Sequence, residues 1–168
     1  MSFMKKLVTG TILAAAAGIA AAAVYAKANE GPEEELKPYI EVKKKEDAVS
    51  FFKRDFAEPT KMLEGLRKEG YRVYNDGSVV EVRYQEADSN LGLTCRISAV
   101  LNSEELNNDP SFYANEKDFF VDDTLVHTYG DEKGVSLVLF KKNDLYYILI
   151  SQLEMSQGAA EAIVRSVA

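Results

Sequence analysis

The spacing of apolar and polar residues divides the chain into helical and extended parts. Apolar residues recur every three or four positions in 47–56, which is the spacing of one face of a helix. After Gly70 the pattern changes to alternation, and 79–84 puts apolar side chains on one side of a strand and charged side chains on the other. The closing segment 155–168 returns to helical spacing. Its predicted buried residues are Ala160, Ile163, Val164 and Val167.

Glycine, proline and asparagine mark the boundaries between these parts. A second short helix is predicted for 59–70, because Pro59 suits a first turn and Gly70 suits a C-terminal cap. Asn75–Gly77 tolerates the positive φ of a tight hairpin, and Asn143–Asp144 is a two-residue hairpin turn. The predicted strands lie in 71–74, 78–85, 91–101, 123–130, 135–142 and 145–152.

This order of elements predicts an α+β fold. We expect a single antiparallel, curved sheet of about six strands, with N-terminal helices and a C-terminal helix packed on it, preceded by a hydrophobic N-terminal helix. The chain is divided into 1–28, a membrane anchor or signal peptide; 29–43, a charged, proline-containing tether; and 44–168, an α+β extracytoplasmic domain.

The N-terminal segment has two interpretations. Leu7–Ala26 contains twenty uncharged residues, which as a helix just span the hydrocarbon core of a membrane. Lys5 and Lys6 before it, and the small residues of Ala26–Ala28 after it, equally fit a cleaved secretory signal. Both alternatives export the remainder, because the two lysines stay inside. We therefore expect a membrane-anchored domain outside the cytoplasm or, alternatively, a domain secreted after signal cleavage.

The same segment carries a possible helix-pairing face. Small residues recur at every fourth position, and this spacing lets transmembrane helices approach closely. An alanine-rich segment also produces the spacing by chance, so both explanations stay open. The residues are Gly10, Ala14, Gly18 and Ala22.

Charge and composition then narrow the classes of partner and of chemistry. The net charge is −7, and 101–168 holds 12 acidic and 5 basic residues, which would repel nucleic acid. The single cysteine, Cys95, is predicted as a small buried residue. The single histidine, His127, cannot supply a zinc site, and no phosphate-binding glycine loop is present. We therefore predict no catalytic, cofactor-binding or metal-binding residues.

Aromatic residues provide the candidate binding surface. Tyrosine favours interfaces because its ring packs while its hydroxyl is hydrogen-bonded, although tyrosine is also an ordinary strand residue. Two adjacent phenylalanines follow an acidic stretch, where they either pin the chain to the core or offer a surface contact. The candidate interaction residues are Tyr71, Tyr84, Tyr113, Phe119 and Phe120.

Four short motifs stand out in residues 60–168: Gly70–Tyr71, Val79–Tyr84, Tyr146–Ile148 and Ser156–Val167. Together they resemble a family of Gram-positive bacterial extracytoplasmic domains of unknown function. These domains occur in membrane-tethered and anti-sigma-factor-like proteins and are distantly similar to lipoprotein-carrier and sigma-E-regulator folds. The resemblance implies a location and a fold but no reaction.

Three functions remain open. The first is a non-enzymatic domain, tethered by its N-terminal helix or secreted, that binds a protein or a cell-envelope component; the acidic C-terminal half favours a basic or metal-bridged partner. The second is a carrier or sensor for an apolar, lipid-like ligand held between sheet and helices. The third is an envelope hydrolase, which would need a pair of carboxylates.

Overall fold

The computed structural model describes residues 38–100 and 113–168. These residues form eight strands and two helices. In chain order they are β1 (Tyr39–Val42), α1 (Lys45–Phe52), β2 (Leu66–Tyr74), β3 (Val79–Glu86), β4 (Gly92–Ser98), β5 (Asn115–Val121), β6 (Thr124–Asp131), β7 (Gly134–Lys142), β8 (Leu145–Met155) and α2 (Gln157–Ser166).

The strands form one open antiparallel sheet in the order β1-β2-β3-β4-β8-β7-β6-β5. Chain neighbours pair from β1 to β4 and again from β5 to β8, as expected for successive hairpins. The two runs meet where β8 pairs with β4, so the C-terminal strand lies in the centre of the sheet. The edges of the sheet are β1 and β5.

One face of the sheet, which we call the inner face, carries the core. It packs against α1, α2 and the irregular segment 53–65, and the side chains of both layers belong to one hydrophobic cluster. The opposite, outer face carries a mixture of charged and apolar residues, because strand side chains alternate between the two faces. Members of the core cluster include Ala48, Phe52, Phe56, Val82, Leu149 and Ile163.

The prediction of about six strands is wrong, because β1 and β5 were not expected. β1 lies in the charged segment 29–43 and pairs with β2, from Tyr39 opposite Tyr74 to Val42 opposite Tyr71. β5 begins with four polar residues. Edge strands have more solvent around them than central strands, so their sequences show weaker apolar alternation.

The prediction of several N-terminal helices is also wrong for the residues described. The segment predicted as a second helix, 59–70, instead contains the start of β2. Gly65 has a φ of 84°, and Gly70 has a φ of 142° at an irregularity in the β2–β3 pairing. A Cβ atom at Gly70 would lie 2.9 Å from the Val42 carbonyl oxygen, so this glycine permits close contact with β1.

The remaining N-terminal helix, α1, is shorter than the predicted 47–56. Lys53 adopts the left-handed conformation with a φ of 59°, which ends the helix. Within α1, Phe52 is buried, whereas Phe51 is exposed.

The turns and the C-terminal helix lie where the sequence predicted them. Gly77 has a φ of 69°, and both Asn143 and Asp144 have positive φ, as a two-residue hairpin turn requires. In α2 the Ser156 hydroxyl accepts a hydrogen bond from the Ala159 amide at 3.1 Å, which caps the helix. All four residues predicted for its inner side and the following turn are buried.

The N-terminal predictions fall outside the described residues. These are the hydrophobic helix, the cleavage site and the pairing residues Gly10, Ala14, Gly18 and Ala22. Within the part of the chain that the structure describes, neither helix is long and apolar enough to cross a membrane.

Candidate functional site

The structure does not bring the five predicted interaction residues together. Tyr71 and Tyr84 are 2% and 7% exposed on the inner face, so their prediction as surface residues is corrected: they belong to the core. Phe119 is partly buried and packs against that core. Tyr113 is half-buried beside Tyr129, with the ring centroids 6.4 Å apart. Phe120 is 70% exposed and is the predicted residue that offers a surface contact.

Phe120 belongs to a ladder of three cross-strand pairs on the outer face of β5 and β6. Glu116 lies opposite Tyr129, Asp118 opposite His127, and Phe120 opposite Leu125. Successive residues on one face of a strand are two positions apart, so the three pairs follow one another along the edge of the sheet. We call these six residues the β5 edge surface.

Two of the pairs are polar. The Tyr129 hydroxyl donates a hydrogen bond to Glu116 Oε1 at 3.1 Å, and His127 Nδ1 lies 2.8 Å from Asp118 Oδ1. Burial raises the pKa of the Tyr129 hydroxyl, and the Glu116 carboxylate adds to this rise. Because the carboxylates are solvent-exposed, these two contacts contribute little to stability, and both carboxylates keep acceptor positions for another donor.

The third pair is apolar and exposed. Leu125 is 41% exposed and faces Phe120 at the end of the hairpin. The other large hydrophobic residues that are exposed in the described ranges lie elsewhere: Phe51 on α1, Leu91 in the β3–β4 turn and Val100 after β4. Aromatic and aliphatic side chains that lose solvent on association supply much of the energy of protein interfaces.

Local sequence explains how β5 presents this surface. Phe119 and Val121 point to the core and anchor the strand, so the residue between them, Phe120, must point outward. Lys117, also on the inner side, donates a hydrogen bond to Gln157 of α2. A two-residue turn, Asp122–Asp123, leads into β6, and Asp122 has a φ of 53°.

This edge of the sheet is rich in acidic residues. Glu116, Asp118, Asp122 and Asp123 fall within eight consecutive residues that contain one base, Lys117. Asp122 Oδ2 is 3.5 Å from Arg165 Nε of α2, and both side chains are exposed. A ligand with cationic side chains would therefore meet a complementary potential.

The inner face holds a second set of polar groups. The Tyr71 hydroxyl donates to Glu58 Oε1 at 2.6 Å and accepts from Lys68 Nζ at 2.8 Å. The Tyr84 hydroxyl is buried and has no hydrogen-bond partner within the described residues. Burial raises the pKa of Tyr147 to about 12.

Cys95 lies in the core among these groups. It is fully buried, as predicted, and burial raises the pKa of its thiol. A thiol with a raised pKa is protonated at neutral pH and is a poor nucleophile.

The hydrolase hypothesis receives no geometric support from His127. Its Nδ1 is paired with Asp118, but on the exposed side of β6. No hydroxyl or thiol among residues 38–100 and 113–168 is hydrogen-bonded to this ring as a nucleophile would be. In the same ranges no group of three or more His, Cys, Asp and Glu side chains could hold a metal ion.

The carrier hypothesis requires a cavity between sheet and helices. That interface is instead filled by one cluster of contacting side chains. An open groove of about 360 Å³ lies at its margin, beside the β7–β8 turn. The groove residues are Lys45, Asp55, Phe56, Ala57, Asn143, Leu145, Tyr147 and Ala168.

Comparison of the chain with protein-family models, curated proteins and solved structures gives no match. The resemblance to the extracytoplasmic domain family therefore stays a prediction.

Sequence reasoning identified Phe120 but missed the residues around it. Alternating positions in "EKDFF" and "TLVHTY" already carry the ladder, and it becomes visible once the two segments are paired across Asp122–Asp123. Glu116, Asp118, Leu125 and His127 could have been found by that pairing.

Proposed function

We propose that this protein is a non-enzymatic extracytoplasmic domain, membrane-tethered or secreted, that binds another protein through the β5 edge surface. The observation that carries the proposal is the exposed pair of Phe120 and Leu125 beside the acidic residues of an edge strand. An apolar centre with a polar rim is the usual composition of a protein interface.

The proposed location rests on the N-terminal sequence. Lys5 and Lys6 followed by the uncharged Leu7–Ala26 support export of the remainder, whether or not the segment is removed. In either case the β5 edge surface would meet proteins of the cell envelope or the medium.

The two other functions have less support. A filled sheet–helix interface leaves little space for an apolar ligand, and a carrier would need a lined cavity. The exposed position of His127 and the buried, protonated state of Cys95 do not suit hydrolysis.

Site-specific photocrosslinking in the full-length protein tests the proposal. A benzoylphenylalanine in place of Phe120 should form crosslinks to a defined protein in intact cells, because this side chain would lie inside the interface. The matched control is the same substitution at Phe51, which is also an exposed phenylalanine but lies on α1, outside the β5 edge surface.

A second pair of variants checks that the crosslink reports a specific contact. Leu125→Asp in the crosslinking protein should suppress the product, whereas Leu91→Asp, at a leucine of similar exposure in the β3–β4 turn, should not. Equal crosslinking from positions 120 and 51, or no effect of Leu125→Asp in a folded protein, would show that the β5 edge surface is not the binding site.

A further inference from the structure

We infer that the partner contributes an extended, basic segment that adds to the sheet as a ninth strand beside β5. This inference rests on the proposed function, since it concerns the same surface. It specifies the binding mode, which is backbone pairing, and the chemistry of the partner, which is one large apolar side chain with cationic side chains on the same face of its strand.

The geometry of β5 suits strand addition. Its register with β6 runs without interruption from Asn115 opposite Gly130 to Val121 opposite Thr124. Among the described strands β5 pairs only with β6, so its second side presents a row of N–H and C=O groups. An extended peptide that pairs with such an edge gains main-chain hydrogen bonds along its length.

The other edge is a poorer template. β1 has four residues, whereas β5 has seven, and the number of main-chain hydrogen bonds rises with the length of the paired strand. We therefore assign strand addition to β5.

β5 carries charged side chains but neither of the backbone features that block pairing at an edge. Proteins discourage edge pairing with prolines, bulges and lysines that project beside the strand. β5 contains no proline, its pairing with β6 has no bulge, and its one lysine, Lys117, is engaged by Gln157.

The side chains of the β5 edge surface define what a ninth strand would carry. On the outer face, Phe120 would lie beside one residue of the new strand, and Asp118 and Glu116 beside the next two residues on that face. Cross-strand neighbours are favourable when both are apolar or when their charges are opposite. The incoming segment should therefore have a large apolar residue, with lysine or arginine two and four positions away.

Synthetic peptides with this pattern provide the probe. The first is fluorescein-labelled Thr-Phe-Thr-Lys-Thr-Lys-Thr, together with its reversed sequence, because the pattern fits a strand of either direction. The second has glutamate in place of both lysines. The third keeps the lysines but has N-methyl groups on all its backbone amides, which removes the donors needed for pairing.

Fluorescence anisotropy with the full-length protein should show binding of a lysine peptide in at least one direction. The glutamate and N-methylated peptides should bind at least about tenfold more weakly. Phe120→Asp and Asp118→Lys should weaken binding of the lysine peptide by a similar factor, and Leu91→Asp should leave it unchanged. Circular dichroism establishes that each variant is folded.

Hydrogen exchange distinguishes strand addition from simple surface contact. Bound peptide should slow exchange of backbone amides within Asn115–Val121, because the edge N–H groups become hydrogen-bonded, and should leave Tyr39–Val42 unaffected. Equal binding of the N-methylated peptide, no binding up to about millimolar peptide, or no slowing in β5 would overturn the inference.

These outcomes separate the two proposals. Specific crosslinking from position 120 without peptide-dependent protection of β5 would leave the proposed function standing and remove strand addition. If hydrogen exchange in β5 slows as the protein concentration rises, with no peptide present, a second copy of the chain is the occupant. That result would overturn the assignment of a basic partner.

Discussion

Tyr71 and Tyr84 lie on neighbouring strands of the inner face and are both buried, yet only the Tyr71 hydroxyl has hydrogen-bond partners. Tyr71 connects Glu58 and Lys68, and so ties β2 to the segment 53–65. The hydroxyl of Tyr84 is enclosed without a partner, which costs free energy because the group has lost its hydrogen bonds to water.

This difference predicts opposite effects of the same substitution. Tyr84→Phe should raise the free energy of unfolding by about 1 kcal/mol, because it removes an unsatisfied hydroxyl. Tyr71→Phe should lower it by about 1–2 kcal/mol, because it breaks hydrogen bonds to a carboxylate and an ammonium group. Urea denaturation of both variants measures the two values. A loss of stability in Tyr84→Phe would mean that its hydroxyl has a partner.

Cys95 should make the protein less stable at alkaline pH. Burial raises the pKa of its thiol in the folded state above the ordinary value of 9.0. Above that pH the unfolded chain releases a proton that the folded chain retains, so the free energy of unfolding falls as pH rises. Cys95→Val removes this group while keeping an apolar side chain.

Urea denaturation at pH 8 and pH 10 checks the Cys95 prediction. Between these pH values, the free energy of unfolding of the native protein should fall by about 1 kcal/mol more than that of Cys95→Val. Tyrosines with raised pKa, such as Tyr147, contribute in the same direction at higher pH in both proteins, so the difference between the two isolates the thiol. Identical pH profiles would indicate that the thiol ionises equally in both states.

Gly130 should be intolerant of a side chain. An added Cβ would lie 2.0 Å from the Gly134 carbonyl oxygen, at the irregularity between β6 and β7. Gly130→Ala should therefore lower the free energy of unfolding by at least about 2 kcal/mol, as substitutions that overpack a site do. At Gly158 in α2 such a Cβ would have no atom within 4 Å apart from its chain neighbours and the adjacent helix backbone, and Gly158→Ala should raise the free energy of unfolding by up to about 1 kcal/mol. Thermal denaturation of both variants tests this contrast, and equal tolerance at the two positions would refute it.

The pair of Asp118 and His127 should contribute little to folding. Both side chains are substantially exposed, and even charged pairs at exposed positions are typically worth less than about 1 kcal/mol. Asp118→Asn should therefore change the free energy of unfolding by less than that amount in urea denaturation. A larger loss would show that the pair holds the β5–β6 hairpin together, and substitutions at Asp118 could then not be interpreted as changes in binding.

The parts of the fold that were predicted correctly are those determined by residues close together in the sequence. The turns at Gly77 and at Asn143–Asp144 follow from residues that accept positive φ, and α2 follows from a regular apolar stripe. The second helix was predicted wrongly because apolar residues in 59–70 have helical spacing, whereas pairing with β3 makes 66–70 extended. Long-range pairing outweighs local propensity at such positions.

The candidate site was less predictable for the same reason. Tyrosine content alone cannot separate Tyr71 and Tyr84, which the core encloses, from residues that stay at the surface. Because side chains alternate along a strand and Val121 is buried, Phe119 points inward and Phe120 points outward. That argument requires β5 to be recognised as a strand. The polar residues at the start of β5 hide the alternation that would identify it.

The central position of β8 has a consequence for how the chain reaches this structure. Strands β1 to β4 and β5 to β7 are synthesised first, but each group keeps an open side until residues 145–155 arrive between them. Contacts that join distant parts of a sequence form slowly, and incomplete sheets aggregate readily. A chain truncated before Leu145 would therefore keep unpaired edges at both β4 and β7, and we expect it to form insoluble material rather than a smaller stable domain.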